Sequence, residues 1–247
     1  MELPLPRWFA HRGGGSLAPE NTLAGIRLAA RLGYRAVEFD VMLSGDGTPV
    51  LIHDETLERT TNGVGRVCEM PDAELFALDA GHGERIPRLA EAAALCRQYG
   101  LLANVEIKPA GGFERQTAEV VARQVDVLWQ GAEVMPLLSS FSLEAVEIAR
   151  DLAPALSRGL LFERVPVDWQ QEMQRLQAVT LHCNALHLAD DTLVALKESA
   201  IPVLCYTVND TERARALFAR GVSAVFTDRL DLFASETSAY KGLQLGG

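Results

Sequence analysis

The chain of 247 residues is short of positive charge and of aromatics. Its 23 lysines and arginines face 33 acids, a formal net charge of −10, and only 6% of residues are aromatic. That balance argues against wrapping on nucleic acid or stable adsorption to a membrane as the main activity, while local charge still permits a small anionic ligand. Four cysteines, Cys68, Cys96, Cys183 and Cys205, form no C-x-x-C pair and have no histidine at zinc-ligand spacing. A zinc site is therefore not indicated, and reduced, buried thiols are the better reading. No apolar run reaches the roughly 18 residues of a membrane span. The N-terminus carries Pro4 and Pro6 and no basic start ahead of an apolar core, which is not the pattern of a signal or transit peptide, so a cytoplasmic location is expected. There is no internal repeat, low-complexity tract or linker, and a single domain over 1–247 is expected; the terminal GLQLGG reads as a loose tail. At this length one hydrophobic core suffices without disulfide or structural metal.

What the sequence does contain is alternation. Short apolar or β-branched runs begin at Arg7, Ala36, Leu101, Pro136, Ser157, Val179, Ile201 and Val222. Helical patterns follow them over Thr22–Leu32, Arg88–Tyr99, Phe113–Gln130, Leu143–Leu152, Asp168–Gln177, Asp190–Ser199, Thr211–Ala219 and Leu230–Ala239. Strand and helix in strict succession favour parallel pairing through right-handed crossovers, and eight such units in about 250 residues is the size of a (β/α)₈ TIM barrel. One interval departs from the rhythm: between Val41 and Pro87 no helix is expected, only turn signals. There the chain is read as an insertion subdomain, residues 45–87, folding back over the C-terminal face. Closing its first hairpin at Gly45-Asp46-Gly47 with Ser44 opposite Pro49 sets His53 opposite Asp40.

The polar residues that break the strand patterns locate the chemistry. In the second strand Glu38 and Asp40 share one face, and in the third Asn104, Glu106 and Lys108 do the same. In a barrel these faces meet in the bore near the strands' C-terminal ends, where barrel enzymes place their sites. Three carboxylates in one volume repel each other, and a hard divalent cation, Mg²⁺ or Ca²⁺ with Mn²⁺ as a further candidate, compensates an all-oxygen set. Salt bridging to Lys108 is the alternative for any one acid. His11 and Arg12 close the first strand and run into Gly13-Gly14-Gly15, where backbone amides can approach a ligand. Two imidazoles, His11 and His53, suit hydrolysis of a phosphodiester, one accepting a proton from the nucleophile and the other supplying one to the leaving alkoxide. The three acids with Arg12 and Lys108 leave a charge of −1, which repels an anion; a divalent cation makes it +1. At about 4 Å and an effective dielectric of 20, each unit pair is worth about 4 kcal/mol, so the cation reverses the sign of substrate binding.

The blocks HRGGGSLAPENT (His11 to Thr22), EFDV (Glu38 to Val41), DGTPVLIHDETLERTTNG (Asp46 to Gly63), EIK (Glu106 to Lys108), YTVN (Tyr206 to Asn209) and TD (Thr227 and Asp228) together resemble the glycerophosphodiester phosphodiesterase family, in particular cytosolic bacterial members associated with glycerol-phosphate uptake. The resemblance implies a barrel with the family's insertion after the second strand. It also implies metal-dependent hydrolysis of glycerophosphocholine, glycerophosphoethanolamine and similar diesters to sn-glycerol 3-phosphate and an alcohol. Carried over by position, His11 and His53 become the acid/base pair, Glu38, Asp40 and Glu106 the metal ligands, and Arg12 and Lys108 the phosphate contacts. Tyr206 stands where many members have tryptophan, as an aromatic wall for the substrate. Elsewhere Asn21 is read as the N-cap of the first helix, Glu20 as a brace of the first loop, and Arg59, Thr60 and Asn62 as ordering the insertion. His182 and Asn184 are placed near the rim, with a structural role preferred, and His82 and His187 are read as loop or surface residues. Two competing readings are a phospholipase-D-like or phosphoinositide-cleaving enzyme acting on intact lipid, and a non-catalytic phosphodiester-binding barrel.

Overall fold

Apolar strands, each leading into a helix with one apolar face, bury both sides of a parallel sheet when the sheet closes on itself. The computed structural model, which describes residues 5–238, shows that closure. Its strands are β1 (Trp8–Ala10), β2 (Ala36–Leu43), β3 (Pro49–Leu51), β4 (Leu102–Ile107), β5 (Leu137–Ser140), β6 (Ser157–Phe162), β7 (Thr180–Asn184), β8 (Val203–Tyr206) and β9 (Ala224–Thr227). All but β3 pair in parallel around a ring that β1 closes by bonding both β2 and β9. The surrounding helices are α1 (Leu23–Arg31), α3 (Leu89–Tyr99), α4 (Glu114–Leu128), α5 (Leu143–Leu152), α6 (Trp169–Arg175), α7 (Asp190–Glu198), α8 (Thr211–Arg220) and α9 (Leu230–Ser238), with the one-turn α2 (Asp72–Leu75) between β3 and α3. This is the expected TIM barrel. GLQLGG, the first four residues and Ala239 at the end of the last expected helix lie outside the described residues.

Alternation along the strands sorts the side chains into two cores. Val37, Phe39 and Val41 of β2 and Ala103, Val105 and Ile107 of β4 face outward into the layer shared with the helices. Phe9, Ala36, Leu102, Leu137, Leu204, Ala224 and Phe226 face inward and plug the bore. A third cluster, Met42, Val50, Ile52, Leu57, Val67, Leu75, Ala80 and Ile86, is built by the segment after β2. One face of β2 therefore runs from the plug at Ala36, through Glu38 and Asp40, to the insertion's core at Met42.

Three expectations change here. The β2–β3 hairpin pairs Val41 with Leu51 and Leu43 with Pro49, one residue away from the expected register, because Ser44 N–H bonds Thr48 O across a three-residue turn. In a continuous strand that slip would send His53 to the wrong face; β3 ends at Leu51, and a bend starting at His53 turns its ring back toward Asp40. The interval expected to lack helix contains α2, whose single turn is too short to show a period. Its Asp72 carboxylate accepts bonds from Ser44 Oγ and Thr48 Oγ1, pinning the hairpin to the insertion. Finally, Thr22 rather than Asn21 caps α1, accepting from Gly25 N–H at 3.2 Å.

Leu75 is fully buried in the insertion's core. Leu75→Ala should lower unfolding free energy by about 2–5 kcal/mol through lost burial and the cavity left behind, measured as a reduced urea midpoint at unchanged slope.

Candidate active site

All eight residues singled out from the sequence, His11, Arg12, Glu38, Asp40, His53, Glu106, Lys108 and Tyr206, line one cavity of about 150 Å³ at the C-terminal ends of the strands. Parallel pairing of β2 with β4 sets Asp40 beside Glu106 and Glu38 beside Asn104. Glu38, Asp40 and Glu106, at 4%, 2% and 7% exposure, each present an oxygen, and these oxygens lie within 4.8 Å of one another. Two oxygens on one cation at about 2.3–2.6 Å can be no more than about 5 Å apart, so the cluster fits a single hard divalent ion.

The carboxylates share their charge unequally. Burial, then the Asp40 charge, raises Glu38 to about 7, and burial with Asp40 raises Glu106 well above its ordinary value. Burial alone would raise Asp40 too, yet Lys108, His53 and Arg12 hold it below the usual range. Lys108 Nζ lies 3.3 Å from Asp40 and 3.6 Å from Glu106, while Asn21 grips Asp40 from both ends, donating from Nδ2 at 2.9 Å and accepting the Asp40 N–H at 3.1 Å. Asn21 thus orients a carboxylate of the site.

The first loop contributes differently from expectation. The amides of Gly13, Gly14 and Gly15 bond the carbonyls of Glu38, Arg12 and His11, so none is free to cradle a phosphate. The glycines serve close packing: a Cβ at Gly14 would lie 2.8 Å from Gly25 Cα in α1, and one at Gly15 would strike the Asp228 carbonyl. The tight turn aims Arg12, whose N–H donates to Glu38 Oε2 at 2.9 Å. Its Nη1 bonds Glu20 at 2.9 Å, and its buried Nε has no hydrogen-bond partner.

Each histidine is tethered at Nδ1. His11 meets Asp228 at 2.6 Å and His53 meets Asp54 at 2.6 Å, which leaves Nε2 of each outside that bond; His11 Nε2 lies 3.8 Å from Glu38 Oε2. Burial pulls the His11 pKa down, but the Asp228 bond and the Glu38 charge outweigh it and hold it above the ordinary value. At His53 burial wins over Asp40 and Asp54, and the pKa falls. Asp54 is bound by Arg59, whose guanidinium also takes both oxygens of Glu20 at 2.7 and 2.8 Å. One arginine of the insertion therefore ties the His53 tether to the brace of Arg12. Tyr206 donates to Phe162 O at 2.9 Å and packs edge-on against Phe141. His182 lies wholly inside the bore rather than at the rim, while Asn184 stays at the rim bonded to Glu163; His82 is exposed and His187 pairs with Glu163.

Nothing in the sequence pattern assigns a role to Asp228 or Asp54. Asp54 follows His53 directly, which is a local signal; Asp228 is 217 positions from His11, and only ring closure between β1 and β9 joins them.

Paired, carboxylate-oriented imidazoles beside an acid cluster that could hold a metal ion and two basic side chains define a hydrolase of phosphodiesters. Residues 11–232 match the glycerophosphoryl diester phosphodiesterase family, and the chain belongs to it. It is 32% identical over 231 residues to the glycerophosphodiester phosphodiesterase of Caldanaerobacter subterraneus subsp. tengcongensis, covering 89% of this chain and 93% of the relative. A phosphodiesterase of Oleispira antarctica, solved in complex with the product sn-glycerol-3-phosphate, superposes with a TM-score of 0.88 at 37% identity, covering 96% of this chain and 98% of that one. The glycerophosphodiester phosphodiesterase of Thermotoga maritima superposes with a TM-score of 0.77 at 26% identity, covering 93% and 97%.

A carboxyl whose folded pKa is raised binds a proton that the unfolded chain releases. Glu38 therefore adds stability below its unfolded pKa and loses it as pH rises through about 7. In chelator the melting temperature should fall between about pH 5 and pH 8, and divalent cation should restore it. Glu38→Gln should flatten the fall and abolish the cation-induced rise in a thermal-shift assay.

Proposed function

We propose that this enzyme hydrolyses glycerophosphodiesters such as glycerophosphocholine and glycerophosphoethanolamine to sn-glycerol 3-phosphate and an alcohol, using one divalent cation held by Glu38, Asp40 and Glu106. The observation that carries the reading is the meeting, in one cavity, of the acid cluster with two histidines tethered at Nδ1. The product bound in the Oleispira antarctica relative supports the glycerol phosphate side of the reaction. When bound, the cation supplies positive charge that draws in the diester and stabilises the negative charge growing on the phosphoryl oxygens.

The chain's own groups do the rest. Arg12, whose Nε makes no hydrogen bond and lies 3.8 Å from Asp40 Oδ2, and Lys108 contact the phosphate, and Tyr206 with Phe141 walls the substrate. One imidazole accepts the proton of the attacking hydroxyl through Nε2, and the other donates a proton to the alcohol oxygen as its bond to phosphorus breaks. Asp228 and Asp54 hold the rings so that Nδ1 keeps its hydrogen and Nε2 meets substrate, the part a carboxylate plays in a serine protease triad. Residues 45–87 serve as a roof that delivers His53. Magnesium, manganese and calcium all suit the oxygen donors, and Mg²⁺ or Ca²⁺ is the proposed ion.

A cytoplasmic role in glycerol and lipid metabolism, acting on free small molecules rather than on nucleic acid or at a membrane surface, completes the proposal. It is supported by the acidic charge and by the buried free thiols, Cys183 and Cys205 lying in hydrogen-bond contact at 3.9 Å rather than joined as a disulfide. No helix among the described residues is long and apolar enough to cross a membrane.

The test is release of glycerol 3-phosphate from both diesters by enzyme stripped with chelator and resupplied with Mg²⁺, Mn²⁺ or Ca²⁺. Turnover should vanish on stripping and return with one of the ions; no product with any ion refutes the reading. His11→Ala and His53→Ala should each lower kcat by about 10²–10⁴-fold, and Asp228→Asn by at least about 10-fold with the fold intact.

A further inference from the structure

Among the described residues five buried side-chain polar atoms have no hydrogen-bond partner, and three of them, Arg12 Nε, Asn104 Oδ1 and His182 Nδ1, belong to residues lining the catalytic cavity. Leaving such an atom unpaired is costly, and native interiors hold few of them. Arg12 is accounted for by the phosphate. Asn104 and His182 lie deeper, and no step of the reaction uses them.

Asn104 is 1% exposed, on the bore-facing side of β4 two residues below Glu106; its Nδ2 donates to Ser139 Oγ at 3.0 Å, which leaves Oδ1 as a bare acceptor. His182 is 0% exposed and pairs in register with Leu204, one of the plug residues. Its Nε2 lies 3.0 Å from Thr180 Oγ1. Burial holds the ring neutral, with a pKa lowered to about 3. The ring's place is made by the neighbouring strand, since a Cβ at Gly159 would lie 2.5 Å from Thr180 Oγ1 and 2.8 Å from His182 Nε2. The remaining lining at this depth, Leu161 and Phe226, is apolar. Two polar points on apolar walls are how a pocket fixes the orientation of a small ligand.

Arg12 and Lys108 follow the ends of β1 and β4, so the diester's phosphate lies there and one of its two arms enters the bore. One cavity of about 150 Å³ is lined both by the charged groups and by Asn104 and His182, so an arm bonded to the phosphate faces both polar points. Glycerol is common to both diesters, and its hydroxyls can pair with Asn104 Oδ1 and His182 Nδ1; choline's quaternary ammonium can do neither, and ethanolamine's ammonium would be a cation buried between the apolar walls of Leu161 and Phe226. Resting on the proposed glycerophosphodiester reading, we infer that Asn104 and His182 are specificity-determining residues that hydrogen-bond the free hydroxyls of the glycerol arm, with the alcohol arm left at the mouth.

The test compares binding of sn-glycerol 3-phosphate with that of propyl phosphate, which keeps the phosphate and lacks the hydroxyls, by titration calorimetry of the Mg²⁺-supplied enzyme. Wild type should prefer glycerol 3-phosphate by at least about 10-fold, one hydrogen bond being worth about that factor. Asn104→Leu and His182→Phe should each bring the ratio toward unity; Asn104→Ser and His182→Gln serve where the first variants fail to fold. A ratio near unity in wild type, or one unchanged in the variants, overturns the inference. Failure of the underlying reading looks different: wild type would hydrolyse bis(p-nitrophenyl) phosphate and no glycerophosphodiester.

Discussion

Mutual repulsion of Glu38, Asp40 and Glu106 is the constraint around which the site is arranged. Three acids within 4.8 Å and almost wholly buried are unstable as three charges. The surrounding groups answer that instability separately: Lys108 between two of the acids, Asn21 on Asp40, and the Arg12 amide on Glu38. Even so, Glu38 and Glu106 resist ionisation. What is missing electrostatically is a concentrated positive charge, and a divalent cation is the simplest way to supply it. A bound cation would favour the ionised form of all three acids.

A second dependence runs through the carboxylates that touch no cation. Asp228 and Asp54 orient the imidazoles, Glu20 braces Arg12, and Arg59 binds both Glu20 and Asp54. The insertion and the first loop are thereby held by one guanidinium, so the position of His53 is coupled to that of Arg12 through charge-assisted bonds only partly exposed to water. Below this polar layer the apolar plug closes the bore, so the cavity has a charged mouth and a largely apolar floor.

Much of the barrel is legible in the residues because each unit advertises itself locally. The run AVEFDVML alternates with period two, and the pattern from Arg88 to Tyr99 has a helix period. The strands and helices appear within a residue or two of where those patterns place them. The insertion is where the reading slips. Its turn holds three residues rather than four, its helix lasts one turn, and its path bends at His53. Short, irregular segments carry no period to read, and their shape is set by contacts such as Asp72 with Ser44 and Thr48. Asn21 shows the same limit from another side: an asparagine ahead of a helix looks like a cap, and only the approach of β2 reveals Asp40 as its partner.

By itself, then, the sequence determined the eight-unit alternation, the side of β2 and β4 on which the acids lie, and the residue types available for phosphodiester chemistry, because periodicity and side-chain chemistry are local properties. Only the tertiary structure decided which groups those residues work beside. Ring closure brings Asp228 to His11, the bend after β3 brings His53 to the acids, and the narrowing bore leaves Asn104 and His182 facing one cavity. Those partnerships join positions tens to hundreds of residues apart, and the separation is bridged by barrel closure rather than by any pattern along the chain.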